Sequence, residues 1–96
     1  MTTLTIIANI TANDDNIEQV KAELLKLVSL TRTEAGCLQY DLHQDNENAA
    51  HFTVVENWGS SELLQAHIEN TPFTNFMKVT EGAISEFAVN KMTNIA

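Results

Sequence analysis

Residues 52–76 read FTVVENWGSSELLQAHIENTPFTNF, and the rest of the chain is organised around this stretch. Phe52, Val54, Glu56 and Trp58 alternate with Thr53, Val55 and Asn57, the period of two that a strand imposes. Gly59, Ser60 and Ser61 break the alternation, and Ser60 is placed to cap a helix. Beyond it Leu63, Leu64, His67 and Ile68 share one helical face, because residues three or four apart are neighbours on a helix. Asn70-Thr71-Pro72 then restarts the backbone. The pattern predicts Thr71 as a cap, Pro72 at the first helical position, and Phe73, Phe76 and Met77 on a new apolar face. Strand end, tryptophan and inward histidine meet at one corner, and the candidate site is placed there.

Upstream, residues 3–11 alternate Leu4, Ile6, Ala8 and Ile10 against Thr5, Ile7, Asn9 and Thr11, a strand rich in isoleucine and threonine. From about 15 to 34, Ile17, Val20, Leu24, Leu27, Val28 and Thr31 form a helical stripe, with Glu18, Lys21, Glu23 and Lys26 off it. Gly36 is expected to end that helix with positive φ. Residues 37–45, CLQYDLHQD, alternate Leu38, Tyr40 and Leu42 against Cys37, Gln39, Asp41 and His43. This reads as a second strand. The polar run from Asp45 to Ala50 has hairpin length, which makes it antiparallel to the strand at 52–58. After Glu81-Gly82, residues 83–92 give a last strand with Phe87 and Val89 on one face.

The order β-α-β-β-α-β is the split βαβ, an α+β ferredoxin-like sandwich with both helical regions on one face of a four-stranded antiparallel sheet. The other face is left bare. Ile7, Cys37 and Val55 make it partly apolar, so a homodimer packed sheet to sheet is expected.

Ninety-six residues suit a single domain, 1–96, able to bury a small core with 44% hydrophobic residues. Thirteen acidic against five basic residues give a net charge of −8, which opposes binding to nucleic acid and to anionic membrane surfaces. One cysteine, Cys37, rules out an intrachain disulfide and fits a reducing cytoplasm. Neither a secretory signal nor a bilayer-length apolar run is visible, so a soluble cytoplasmic domain is expected. His43, His51 and His67 lack metal-ligand spacing, and three scattered glycines form no phosphate loop, so neither metal nor nucleotide cofactor is expected.

The segments EAGCLQYDLHQD and VVENWGSSELLQAHIENTPF resemble the antibiotic biosynthesis monooxygenase family of small dimeric α/β-barrel proteins. The resemblance is carried by Glu34, Gly36, Cys37, Tyr40, Glu56, Trp58, Ala66, His67, Thr71, Pro72 and Phe73. It implies cofactor-independent oxygenation of quinol- or anthrone-like aromatics, the substrate itself supplying electrons to dioxygen. Members also include an isomerase of a phosphorylated signalling sugar and haem-degrading proteins. For the haem-degrading pattern Asn9 matches a first-strand asparagine, but His67 stands at the tryptophan position and no histidine follows near Phe76-Met77. Haem degradation is therefore disfavoured. A non-catalytic dimer binding a hydrophobic metabolite remains a further alternative.

Each candidate residue has a functional and a structural reading. His67 has an imidazole suited to taking a phenolic proton, or it is a buried histidine holding the turn at Thr71-Pro72. Glu56 is its partner in catalysis, as acid/base or orienter, or belongs to a structural pair. Trp58, Tyr40, Asn9 and Phe73 are the candidate substrate-binding residues. Trp58 serves as an aromatic wall or as core packing, and Tyr40 aims its hydroxyl into a cavity or at one structural partner. Asn9, of opposite parity to Ile6, Ala8 and Ile10, lines either a pocket or a dimer interface. Cys37 has no nearby base and reads as a small buried hydrophobe.

Overall fold

The first strand, β1 (Leu4–Ala12), shows why the sheet has two unlike faces. In the computed structural model, which describes residues 3–96, its even-numbered residues Ile6, Ala8, Ile10 and Ala12 are buried and its odd-numbered ones are half-exposed. β1 sits at the centre of the sheet, antiparallel to β3 (His51–Trp58) on one side and β4 (Ile84–Met92) on the other. β2 (Cys37–Gln44) pairs with the far edge of β3, giving the order β2-β3-β1-β4. Across the inward face Ile6, Ala8 and Ile10 oppose Glu56, Val54 and Phe52 of β3. This is the ferredoxin-like α+β arrangement.

Three helices cover that face. A 3-10 turn (Asp14–Asn16) leads into α1 (Ile17–Thr31), whose stripe Val20, Leu24, Leu27, Val28 and Thr31 is buried as its spacing requires. Each fully buried aliphatic or phenyl side chain contributes roughly 1.5–3 kcal/mol, so Leu24, Val20, Phe52 and Ile10 dominate the core. The second helical region splits into α2 (Ser61–Glu69) and α3 (Thr71–Val79). Ser60 caps α2 as expected, its Oγ accepting the Leu63 N–H at 3.2 Å. The cap of α3 is Asn70 rather than Thr71: its Oδ1 accepts the Thr71 N–H at 2.9 Å, and Thr71 is already helical.

Two further expectations are corrected. The first helix ends at Thr31, not at Gly36, because Thr33 and Glu34 N–H groups turn back onto Leu30 and Thr31. Gly36 instead takes φ +84° to swing the chain into β2, where a Cβ would come within 2.6 Å of Leu63 Cβ. The second correction concerns β2, whose strict alternation fails. Cys37 pairs with Trp58 but Gln39 pairs with Asn57, so Leu38 is an extra residue bulged out of the ladder, 61% exposed. The bulge puts Cys37 on the helix side with Tyr40 and Leu42, rather than on the bare face.

The bare face is mixed. Ile7 and Val55 are half-buried among polar side chains that bond to one another. The Thr5 hydroxyl donates to Asn57 Oδ1 at 2.6 Å, and the Thr53 hydroxyl donates to Asn9 Oδ1 at 2.8 Å. Among the described residues no helix is long and apolar enough to cross a membrane.

Candidate active site

β3 carries Glu56 and Trp58 two residues apart, so both point inward beneath the helices. Trp58 is completely buried and its indole N–H donates to Glu56 Oε1 at 2.9 Å. Glu56 is 5% exposed. Burial pushes its carboxyl up to about 7, while the bond from Trp58 pulls the other way. It therefore exchanges a proton in the neutral range. Tyr40 stands directly opposite Glu56 across the β2–β3 ladder and is also buried. Desolvation first, and then the nearby Glu56 charge, push its ionisation far above the ordinary phenol range. Tyr40 is thus a neutral phenol that can donate a hydrogen bond.

α2 brings His67 down onto these residues. Its ring centroid lies 4.7 Å from that of Trp58, 5.7 Å from Tyr40 in an edge-on arrangement, and 5.3 Å from Phe73 of α3. Nδ1 of His67 is 2.7 Å from Glu34 Oε1 in the turn between α1 and β2, and the two side chains are 3% and 10% exposed. The Asn70 side-chain amide donates to the other oxygen of Glu34 at 3.1 Å.

His67, Glu56 and Tyr40 together form the polar end of a cavity of about 50 Å³ between sheet and helices. The remaining walls are apolar, drawn from β1, α1, β3, α2, α3 and β4. Ile68 and Val89 are the exposed members of the lining, which places the mouth at the seam between the helices and β4. Phe73 and Phe87 meet edge-on across this seam, with centroids 6.4 Å apart. Among the described residues neither lysine nor arginine lines the cavity. Among those residues there is also no cluster of three or more metal-binding side chains.

Of the residues singled out from sequence, His67, Glu56, Tyr40 and Phe73 come together around one space. Trp58 does not line it: the indole lies behind His67 and Glu56, holding both in place. Asn9 is on the opposite side of the sheet, where its Oδ1 accepts from Thr53 and lies 3.2 Å from His51 Nε2. The reason is parity, since its neighbours Ala8 and Ile10 take the inward positions. The expectation that Glu56 orients His67 is also corrected, because the carboxylate on Nδ1 is that of Glu34 and Glu56 is bound to Trp58. Glu34 was visible in sequence only as part of the Glu-Ala-Gly-Cys segment. Thirty-three residues separate it from His67, and no local periodicity links the two. Cys37 is held above its ordinary thiol range, by burial first and then by the Glu56 and Glu34 charges, which suits an inert thiol.

Fold and site together define a small α+β protein with a largely apolar cavity bearing a histidine, a glutamate and a tyrosine. Residues 3–79 match the antibiotic biosynthesis monooxygenase family, and the chain belongs to it. The solved structure of PA3566 from Pseudomonas aeruginosa is 36% identical and superposes with a TM-score of 0.96, covering 100% of this chain and 97% of that one. A structure described as an antibiotic biosynthesis monooxygenase is 28% identical, with a TM-score of 0.91 over 97% of this chain and 99% of its own. An uncharacterized Synechocystis protein, sll1783, is 24% identical over 93 residues, spanning 97% of this chain and 63% of that relative.

The raised carboxyl of Glu56 makes stability fall with pH. The unfolded chain releases this proton near 4.5 and the folded chain only near 7, so the folded state holds more protons between those values. That difference is worth roughly 3 kcal/mol, fully present below the unfolded value and lost as pH rises to the folded one. Denaturant midpoints measured upward from about one unit above the isoelectric point of about 4.5 should decline more steeply in the wild type than in Glu56→Gln. Parallel curves for the two proteins would contradict the assignment.

Proposed function

We propose that this protein is a cofactor-independent monooxygenase acting on a small electron-rich hydroxylated aromatic, of the quinol or anthrone type. The observation that carries the reading is the cavity: apolar walls with His67, Glu56 and Tyr40 gathered at one end. In it His67 accepts the phenolic proton, producing an electron-rich anion in a water-poor space. The anion passes an electron to dioxygen and the pair joins through a new carbon–oxygen bond, leaving a peroxide anion. In this reading neutral Tyr40, and Glu56 in its protonated form, donate hydrogen bonds to that charge. The His67 imidazolium returns its proton to the peroxide, and at a methylene carbon loss of the remaining C–H proton and of hydroxide, which combine as water, leaves a carbonyl. The balance is CH₂ + O₂ → C=O + H₂O, and the substrate supplies all four electrons.

A sugar-phosphate isomerase needs cations around its anionic substrate, and the lining described above has none. A cavity of about 50 Å³ is about a third of the ~150 Å³ that accommodates benzene in an engineered protein core. Ring entry therefore requires the Phe73–Phe87 seam to part, as binding sites with mobile rims commonly do.

Oxygen uptake with a panel of naphthohydroquinones and anthrones, corrected for spontaneous oxidation, tests the reaction. The expected result is consumption of one dioxygen per substrate without added flavin or metal. Uptake only with flavin present would refute the cofactor-free mechanism, and no uptake with any substrate would favour a metabolite-binding protein.

The reading extends to assembly. The half-apolar bare face, bearing Ile7 and Val55, is covered by the same face of a second copy in a homodimer. Sedimentation at micromolar concentration should show a dimer, and a stable compact monomer would rule that assembly out.

A further inference from the structure

We propose that Glu34 is the positioning residue for His67: it holds the imidazole proton on Nδ1 and so leaves the Nε2 lone pair free in the cavity. The role rests on the reading of His67 as the proton acceptor, and its structural half can be tested without any substrate.

The geometry separates the two ring nitrogens. Nδ1 faces a carboxylate oxygen at 2.7 Å, and a carboxylate only accepts, so in the neutral ring the proton lies on this nitrogen. Among the described residues Nε2 has no protein hydrogen-bond partner, while the ring lines the cavity with Tyr40 and Glu56. A neutral imidazole in this state presents a base to the cavity and a donor away from it. When Nε2 takes a proton, the Glu34 charge compensates the imidazolium, the division of labour by which a carboxylate supports a histidine base.

Glu34 is itself held. Its second oxygen accepts from Asn70 Nδ2 at 3.1 Å, and Asn70 Oδ1 accepts the Thr71 N–H at 2.9 Å as the cap of α3. The Asn70 backbone N–H closes α2 by donating to the His67 carbonyl. The amide is thus fixed in orientation by the junction of the two helices, and it presents a donor to Glu34. Two donors, from Asn70 and His67, converge on the two carboxylate oxygens. A glutamine cannot satisfy both of them, since it offers one acceptor and one donor. On its outer side the pair borders a surface depression of about 200 Å³ formed by Glu34, Ala35, Leu63, Ala66 and Asn70. Glu34 therefore acts from outside the cavity, through the ring.

Nitrogen-15 spectra of His67, recorded where the ring is neutral, read the tautomer directly. Wild type should show a single form with the proton on Nδ1, and Glu34→Gln and Glu34→Ala should show mixtures or the Nε2–H form. On a substrate that supports oxygen uptake, both variants should lose at least tenfold in kcat per folded molecule with KM little changed. Glu34→Gln keeps the side-chain shape, so a folding defect confined to Glu34→Ala leaves the test intact. A wild-type ring protonated on Nε2, or a tautomer unmoved in both variants, would overturn the proposal. A tautomer that moves without any loss of turnover would leave Glu34 as the positioning group and overturn instead the reading of His67 as the base.

Discussion

Glu56 is a carboxyl group on the inward face of a central strand, and the site is built around the difficulty of keeping it there. The interior disfavours its charge, and the Trp58 indole N–H is the hydrogen bond it receives from the protein. That bond fixes the indole, which then forms the floor under the His67 ring. Tyr40, paired opposite on β2, meets the same polar spot from the side. An apolar residue at position 56 would pack this core at lower electrostatic cost, because burying an ionisable group destabilises unless it is neutral or well partnered. Burial pushes this carboxyl up to about 7 beside a histidine and a phenol, a combination that folding alone does not call for.

The fold was legible wherever a period of two or 3.6 persisted. The alternation through Phe52, Val54, Glu56 and Trp58 placed two site residues on one face, and the spacing of Leu64 and His67 on a helix placed a third above them. Legibility failed where one residue broke the count. Leu38 bulges from β2 and carries Cys37 to the opposite face from the one its parity suggested. Asn70 rather than Thr71 caps α3, since either residue type can cap and only geometry chooses between them. Asn9 entered the candidate list through the family resemblance, against its own parity, and parity decided the matter. The His67–Glu34 bond was not readable at all, because pairs distant in the chain leave no trace in local periodicity.

The cavity and the bare sheet face answer different needs on opposite sides of one sheet. On the helix side the core is continuous except where α3 and β4 face each other, and there the Phe73–Phe87 contact stands in for regular packing. An edge-on aromatic pair of this kind contributes only about 0.5–1.5 kcal/mol beyond its buried area. Parting it is cheap compared with disturbing α1 or β1. On the other side, Thr5 bonds to Asn57 and Thr53 to Asn9 across the strands, so part of the polar surface of that face is satisfied within the sheet itself.

The central claim is that His67 removes a proton rather than merely filling the corner. His67→Asn tests it most directly, because an asparagine amide can still donate to Glu34 where Nδ1 did, yet offers no base to the cavity. Since the histidine is only 4% exposed and packed against three aromatic rings, turnover has to be referred to the folded fraction. The account predicts a loss of about 10²–10⁴ in turnover per folded molecule, on an aromatic that the wild type oxidises. Unchanged turnover in the folded fraction, with only a lowered melting temperature, would make His67 a structural residue and contradict the account.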